Sequence, residues 1–172
     1  MAYDLQRSGR NYGAPAGRYD NRGSSQQGNW NGRSGAQYDQ PKPVEARMLP
    51  VNYMDEAERV MEKLKEENRF GKFDITTSKL RAIHALVADI YNVENLRTEA
   101  ELLEESQLKL MRLRVRIVYD AGREQAVMKF VEKTNLLNYI KGIGKNRAEM
   151  IRFAHYMEAL VAYHRFLGGR EY

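Results

Sequence analysis

Apolar residues recur at intervals of three and four from about residue 51 to residue 169, and no stretch alternates convincingly with a period of two. Intervals of three and four place apolar side chains on one side of a helix, whereas a strand requires a period of two. The pattern therefore predicts an all-α fold, a small bundle of about five helices. A segment of this length can bury roughly two thirds of its unfolded surface, which is enough for one core.

The first two helices are predicted from their caps and their apolar positions. Asp55 and Glu58 have the spacing of a capping box, so we expect the first helix to begin near Asp55 and to end before Gly71. The second helix is expected over about residues 77–91. Its apolar face is formed by Leu80, Ile83, Val87 and Ile90.

The middle of the chain predicts two further helices. Thr98 and Glu101 form another capping box, which predicts a long third helix that extends toward Gly122. A fourth helix is expected over about residues 124–140. Its inward side chains are Val127, Phe130, Val131, Leu137 and Ile140.

The last helix is predicted to begin with a cap formed by Asn146 and Glu149 and to run to Gly168. Its sequence, MIRFAHYMEALVAYHRFL, is apolar or aromatic on nearly every side. Such a helix is covered by neighbours on several faces. We therefore expect it to be the central helix of the bundle or part of a subunit contact.

The composition changes sharply before the helices. Residues 1–47 consist mainly of Gly, Arg, Asn, Gln, Ser and Tyr. Because so few apolar side chains cannot offset the entropy of ordering the backbone, we expect a disordered Gly/Arg/Tyr-rich tail followed by a helical domain at 48–172. The tail either makes loose RNA contacts or is a solubilising leader. Its arginines alternate with aromatic residues, namely Arg7, Arg10, Arg18, Arg22 and Arg33 with Tyr3, Tyr12, Tyr19, Trp30 and Tyr38.

Charge and cysteine content restrict the class of protein. The net charge of +5 favours polyanionic partners. The absence of cysteine excludes disulfide scaffolds, thiolate metal sites and cysteine nucleophiles. No apolar run approaches the ~20 residues needed to cross a bilayer, and no signal peptide is recognisable. We expect a soluble cytoplasmic protein without a membrane partner.

The segment KLMRLRVRIVYDAGRE in the third helix is the most informative stretch. Its basic residues fall three or four positions apart and therefore lie on one face. Like charges at this spacing repel one another, and a bound phosphate backbone would remove that cost. The alternative is a solvated face, or arginines paired with Glu104, Glu105 or acids of another helix. This basic stripe consists of Lys109, Arg112, Arg116 and Arg123, with Tyr119 among them.

A rival signal lies in LNYIKGIGKNRAEMI. Gly142, Ile143 and Gly144 have the spacing of a helix-hairpin-helix turn, in which glycine amides contact a phosphate of DNA. Lys141, Lys145 and Arg147 would add phosphate contacts. Two glycines between helices are also an ordinary way to turn a bundle corner, so both interpretations remain open.

Catalytic and cofactor motifs are not found. A P-loop is excluded because Tyr139 replaces its first glycine and Asn146 its Ser or Thr, and Arg147 breaks a dinucleotide fingerprint. No pair of carboxylates suggests acid/base chemistry. His84, His155 and His164 have no metal-site spacing, so we expect core or interface imidazoles. We expect neither an enzyme nor a bound cofactor or metal.

Five strings together resemble the small subunit of the type III-A CRISPR interference complex. Their order and spacing make the resemblance specific, and it spans residues 51–169. The tail has no counterpart in that family. The strings are VNYMDEAERVMEKLK, FDITTSKLRAI, LRVRIVYDAGRE, MKFVEKTNLL and HYMEALVAYHRFLGG.

The resemblance implies a helical protein without catalytic activity, present in several copies beside the backbone and large subunits. Such copies lie along the guide RNA and the paired target RNA and contact the sugar-phosphate backbone without reading sequence. The basic positions of the family fall on Lys79 and Arg81 in TTSKLR and on Arg116 and Arg123 in VRIVYDAGR. The full set of expected RNA-binding residues is Lys79, Arg81, Arg112, Arg116, Arg123, Lys141 and Lys145.

Overall fold

The computed structural model describes residues 43–171, and the prediction of a disordered tail concerns residues that lie mostly outside this range. The described residues form an all-α domain without β-strands, as the sequence predicts, and they contain six helices rather than five. The helices are α1 (Tyr53–Glu66), α2 (Thr77–Glu94), α3 (Glu104–Arg123), α4 (Gln125–Lys133), α5 (Leu136–Ile143) and α6 (Arg147–Phe166).

Helix α6 occupies the centre of the domain and packs against α1, α2 and α5. It buries side chains around most of its circumference, which confirms the central position that its apolar sequence predicts. The other helices bury one face each and enclose α6 or one another. The buried residues of α6 are Met150, Phe153, Ala154, Tyr156, Met157, Ala159, Leu160 and His164.

The starts of α2 and α6 agree with the sequence, whereas the start of α1 does not. The Thr76 hydroxyl accepts a hydrogen bond from the Lys79 amide at the start of α2, and the Asn146 side chain accepts one from the Glu149 amide at the start of α6. Helix α1 begins at Tyr53, before the predicted start near Asp55. Asp55 lies within the first turn, where a carboxylate interacts favourably with the helix dipole without capping an amide.

The predicted capping box of Thr98 and Glu101 is wrong. Helix α3 begins at Glu104, and the buried Glu94 side chain from the end of α2 accepts a hydrogen bond from the Leu103 amide at 3.0 Å. Arg97 donates to the same carboxylate at 2.7 Å. Capping from a preceding helix leaves no signature in local sequence spacing, which is why the sequence misplaces this start.

The single helix predicted over residues 124–140 is divided into α4 and α5. Asn135 adopts a left-handed backbone conformation with φ of 52°, which Asn tolerates better than most residues. The turn frees the Thr134 carbonyl, which accepts a hydrogen bond from the buried Tyr156 hydroxyl at 3.1 Å. A partner from α6 therefore satisfies a group that a continuous helix would have used internally.

Residues 43–50 form a strap across the bundle. The Arg47 amide donates to the Asn138 carbonyl at 3.1 Å, and Arg152 of α6 donates to the Leu49 and Pro50 carbonyls at 2.9 Å each. Gly142 lies directly beneath the strap, and a methyl group there would collide with the Arg47 carbonyl. The strap is thus fastened to both α5 and α6.

Candidate RNA-contacting surface

Helices α2 and α3 run in opposite directions and form one face of the domain. Lys79 of α2 pairs with Glu124 after the end of α3 at 2.6 Å, and Asp89 of α2 pairs with Lys109 near the start of α3 at 3.1 Å. Between these two ion pairs lies a cleft of about 560 Å³, whose lining includes Arg112 and Arg116. Three residues of the predicted basic stripe, Lys109, Arg112 and Arg116, therefore line a single concave surface.

Acidic neighbours neutralise part of the basic stripe. Lys109 lies 3.1 Å from both Asp89 and Glu105, and the hydrogen bonds that its ammonium donates to these two carboxylates raise the pKa of Lys109. The Arg116 Nε lies 3.0 Å from the Asp120 carboxylate, which is largely buried. Lys109 thus follows the alternative of internal pairing, whereas Arg116 pairs with Asp120 of its own helix, an acid that the alternative did not name. The Arg116 to Asp120 pair has i,i+4 spacing that the sequence already displays.

Arg112 and Arg123 differ from these two residues. Both are exposed, and neither pairs with a carboxylate of residues 43–171. The Arg123 guanidinium lies 5.4 Å from the centre of the Tyr119 ring, and its Nη1 donates to the Tyr119 hydroxyl at 3.3 Å. This cation–π contact orients Arg123 without cancelling its charge. The two side chains remain available for an anionic ligand.

The two α2 residues that the family resemblance points to are both in ion pairs. Lys79 contacts Glu124, next to Arg123 in sequence, so it belongs to the same end of the α2–α3 face. Arg81 instead pairs with Glu171 in the C-terminal segment at 3.2 Å. Exposed pairs of this kind contribute little to stability, ~0–1 kcal/mol, so an anionic ligand can displace them at small cost.

Lys141 and Lys145 lie apart from this surface. Lys141 donates to the Val44 carbonyl in the strap at 3.0 Å. The Lys145 carbonyl accepts a hydrogen bond from the Leu102 amide at 2.9 Å, which places Lys145 near the start of α3. Arg123 is at the other end of that helix, whose 20 residues span about 30 Å. The predicted residues are therefore not one continuous patch.

The helix-hairpin-helix candidate is largely engaged within the domain. Gly142 is covered by the strap, as its contact with Arg47 shows. The Arg147 amide donates to the Ala100 carbonyl at 3.0 Å, and its side chain donates to the carbonyls of Glu99 at 2.6 Å and Glu94 at 3.0 Å. These contacts give Gly142 and Arg147 a structural explanation that requires no phosphate.

The histidines occupy three different environments. His164 is buried, and its ring contacts the Ile75 carbonyl at 3.0 Å and the Thr77 hydroxyl at 3.3 Å. His155 packs edge-on against Tyr91, and His84 is half-buried. Within residues 43–171 no three His, Asp or Glu side chains are grouped closely enough to hold a metal ion. No helix of this part of the chain is long and apolar enough to cross a membrane.

Comparisons with known proteins agree with the resemblance seen in the sequence. The family model described as Csm2 Type III-A matches residues 51–170. "CRISPR system Cms protein Csm2" of Streptococcus thermophilus is 41% identical over 126 residues, covering 73% of this chain and 99% of that protein. The proteins of the same name from Mycobacterium tuberculosis and Enterococcus italicus are 36% and 33% identical, over 72% and 73% of this chain and 98% and 94% of their own lengths. The chain belongs to the Csm2 family of type III-A CRISPR systems.

Proposed function

We propose that this chain is a non-catalytic structural subunit of a type III-A CRISPR effector complex. Several copies lie along the guide RNA and the target RNA and contact the sugar-phosphate backbone without reading bases. Each copy also contacts the backbone and large subunits and other copies of itself. Membership in the Csm2 family supports assembly into the complex. The RNA contact is supported by the α2–α3 face.

The proposed RNA contact is supported by one observation above all, two exposed arginines without a carboxylate partner within residues 43–171. Arg112 lines the α2–α3 cleft and Arg123 stands at the end of the same helix, and neither charge is balanced by a carboxylate of the described residues. A phosphate backbone would balance both charges and release counterions. Such contacts orient a protein on RNA and carry no sequence information. Binding should therefore be similar for RNAs of different sequence.

The α2–α3 face supports RNA contact better than the glycine corner supports DNA contact. Gly142 packs beneath the strap, so its backbone is covered by protein. Lys145 is exposed, whereas Lys141 donates to the Val44 carbonyl and Arg147 to the Glu94 and Glu99 carbonyls. A DNA-binding hairpin needs several amides and cations at one place. The corner offers fewer of them than the α2–α3 face does.

The test compares single arginine substitutions in the full chain. We expect Arg112→Ala and Arg123→Ala each to weaken RNA binding roughly three- to tenfold, because each loses one charge-assisted phosphate contact. Each should also reduce the slope of log affinity against log salt by up to about 0.9. Affinities are measured by fluorescence anisotropy at several salt concentrations, with two unrelated RNA sequences and a DNA of equal length.

Two control variants complete this test. Arg69→Ala removes the same charge from an exposed arginine after α1, and we expect it to leave the slope nearly unchanged. Lys145→Ala tests the glycine corner, and a larger effect there than at Arg123, together with a preference for DNA, would favour the rival function. Arg116 is avoided because its loss would leave the largely buried Asp120 without its partner. Wild-type affinity and salt slope in both Arg112→Ala and Arg123→Ala would refute the RNA contact.

A further inference from the structure

Helix α3 carries an apolar stripe on its outer side that no part of the described domain covers. The four side chains are between 45% and 67% exposed. They follow one another at intervals of three, four and three residues, so they form a line along the helix of about 15 Å. We call this line the outer α3 stripe; it consists of Leu108, Met111, Val115 and Val118.

The stripe is not needed for the packing of α3 within the domain. The helix buries its opposite side through Leu110, Leu113 and Ile117, which face α2 and α4. Other exposed apolar residues, such as Leu96 and Phe70, stand singly, which is ordinary for a protein surface. An apolar row that extends along about three turns of a helix is instead typical of an interaction surface. Intervals of three and four are those of a seam between two helices.

An apolar groove continues the stripe at its C-terminal end. Val118 also lines a groove of about 660 Å³ whose walls include Met128 and Val131 of α4, Leu137 of α5 and Pro43 of the strap. The apolar surface therefore extends from the middle of α3 across the junction of α3, α4 and α5. A helix laid on the stripe could insert a large apolar side chain into this groove at its end.

The charges beside the stripe indicate which kind of helix can bind there. Arg112 and Arg114 border the stripe on its two sides, and neither forms an ion pair with a carboxylate of the described residues. If a second copy paired through the same stripe, in either orientation, like-charged arginines would meet near the centre of the contact. A helix with acidic flanks would meet these arginines with opposite charge.

We propose that the outer α3 stripe is the docking site for an amphipathic helix of another protein subunit, whose apolar seam is bordered by Asp or Glu. That the subunit belongs to a type III-A complex rests on the proposed function. The basic face toward α2 and the outer apolar face lie on different sides of α3. The helix thus separates RNA contact from protein contact, with Arg112 at the boundary.

The test uses complexes assembled in cells from this chain and the other subunits of its type III-A system, purified through a tag on a different subunit. The variant Met111→Gln/Val115→Gln removes the centre of the stripe. We expect its amount in the complex to fall at least tenfold relative to wild type. The control is Leu96→Gln, which changes a more exposed apolar residue outside the stripe and should be retained in full.

The charge requirement has its own test. We expect Arg114→Glu to reduce retention several-fold, and an Asp→Lys or Glu→Lys change in the partner helix, located by cross-linking to position 115, to restore it. Circular dichroism must show wild-type helical content in every variant. The RNA affinity of the isolated double variant should be unchanged, since none of its substitutions lies in the cleft.

The possible outcomes separate this inference from the proposed function. Normal retention of the folded double variant, with RNA binding intact, overturns the docking site alone. If the double variant is lost from the complex and the wild-type chain binds no RNA, the docking site is supported and the RNA contact is overturned. A wild-type chain that does not join the complex at all overturns both. If sedimentation shows that the wild-type chain forms dimers and the double variant does not, the stripe binds a second copy of the chain. If the stripe is required only for binding to anionic vesicles, it binds a membrane. Either result overturns the proposal.

Discussion

Helices α3 and α6 have the same length, 20 residues, and both carry more apolar side chains than one packing face requires. In α6 the additional side chains are covered by α1, α2 and α5 of the same chain. In α3 they remain exposed on the side away from the core, between two arginines. Apolar surface beyond one face therefore stabilises the domain in α6, and in α3 it is available for a partner.

The polar groups of the two helices differ in the same way. The buried polar side chains of α6 bond within the domain, as Tyr156 does with Thr134 and His164 with Ile75. On α3, Arg112, Arg114 and Arg123 reach solvent without a carboxylate partner among the described residues. The buried polar groups of α6 are thus satisfied within the domain, whereas three arginines of α3 are open to ligands.

The largest expected effect compares apolar truncation on the two helices. Phe153→Ala on α6 should lower the free energy of unfolding by about 3–5 kcal/mol, because Phe153 is fully buried and its loss leaves a cavity. Val115→Ala on α3 should change it by less than about 0.5 kcal/mol, since Val115 is 67% exposed. Urea denaturation followed by circular dichroism measures both values. Equal destabilisation by the two substitutions would show that the outer side of α3 is also part of the core.

A smaller effect is expected at the start of α3. Burial opposes ionisation of Glu94, but hydrogen bonds from Ser106, the Leu103 amide and Arg97 outweigh it and hold the pKa of Glu94 below its usual value. Glu94→Gln keeps the shape and removes the charge, so we expect a loss of about 1–3 kcal/mol. Because the folded pKa is lowered, this stabilisation is complete above about pH 4.5 and is lost as the pH falls through the folded pKa.

The Glu94 prediction has an internal control. The difference in unfolding free energy between wild type and Glu94→Gln should shrink on acidification below pH 4.5. Glu101→Gln, at the position that the sequence misidentifies as a cap, should cost less than about 0.5 kcal/mol. A larger loss at Glu101 than at Glu94 would contradict the capping contact that the structure contains.

The helical fold could be predicted because intervals of three and four report directly on which side of a helix is buried. Two errors of that prediction, the undivided fourth helix and the start of the third helix, have the same cause. Asn135 divides α4 from α5 because Thr134 gains a partner in Tyr156, 22 residues later, and Glu94 caps α3 from the preceding helix. Contacts between distant residues leave no trace in local spacing.

The candidate site was predictable to a smaller extent. Helical spacing correctly places Arg112 and Arg116 on a common face, because both line the same cleft. It does not reveal that Lys141 holds the strap or that Arg81 pairs with Glu171, since those contacts depend on the folded path of the chain termini. The pairing of Arg116 with Asp120 was available from i,i+4 spacing.

The smallest expected effect is the pH dependence of α6 through His164. A carbonyl only accepts hydrogen bonds, so the His164 Nε2 must donate to Ile75, and the neutral ring can then accept at Nδ1 from the Thr77 hydroxyl. Burial lowers the pKa of His164 below its usual 6.5, although the bond to Ile75 partly opposes the change. Between the folded pKa and 6.5 the unfolded chain binds more protons than the folded chain. The contribution of His164 to stability is therefore complete above pH 6.5 and falls as the pH falls below it.

We expect the free energy of unfolding to fall by about 1 kcal/mol or less over the first pH unit below 6.5, because one proton contributes at most about 1.4 kcal/mol per unit. The measurement is the difference in unfolding free energy between wild type and His164→Gln from pH 7.5 to 5.0, which cancels the titration of groups common to both proteins. If this difference does not change with pH, the His164 ring has the same pKa in the folded and unfolded chain and is therefore solvated in the folded protein. The contrast between an internally satisfied α6 and an open α3 would then be weaker than the contacts indicate.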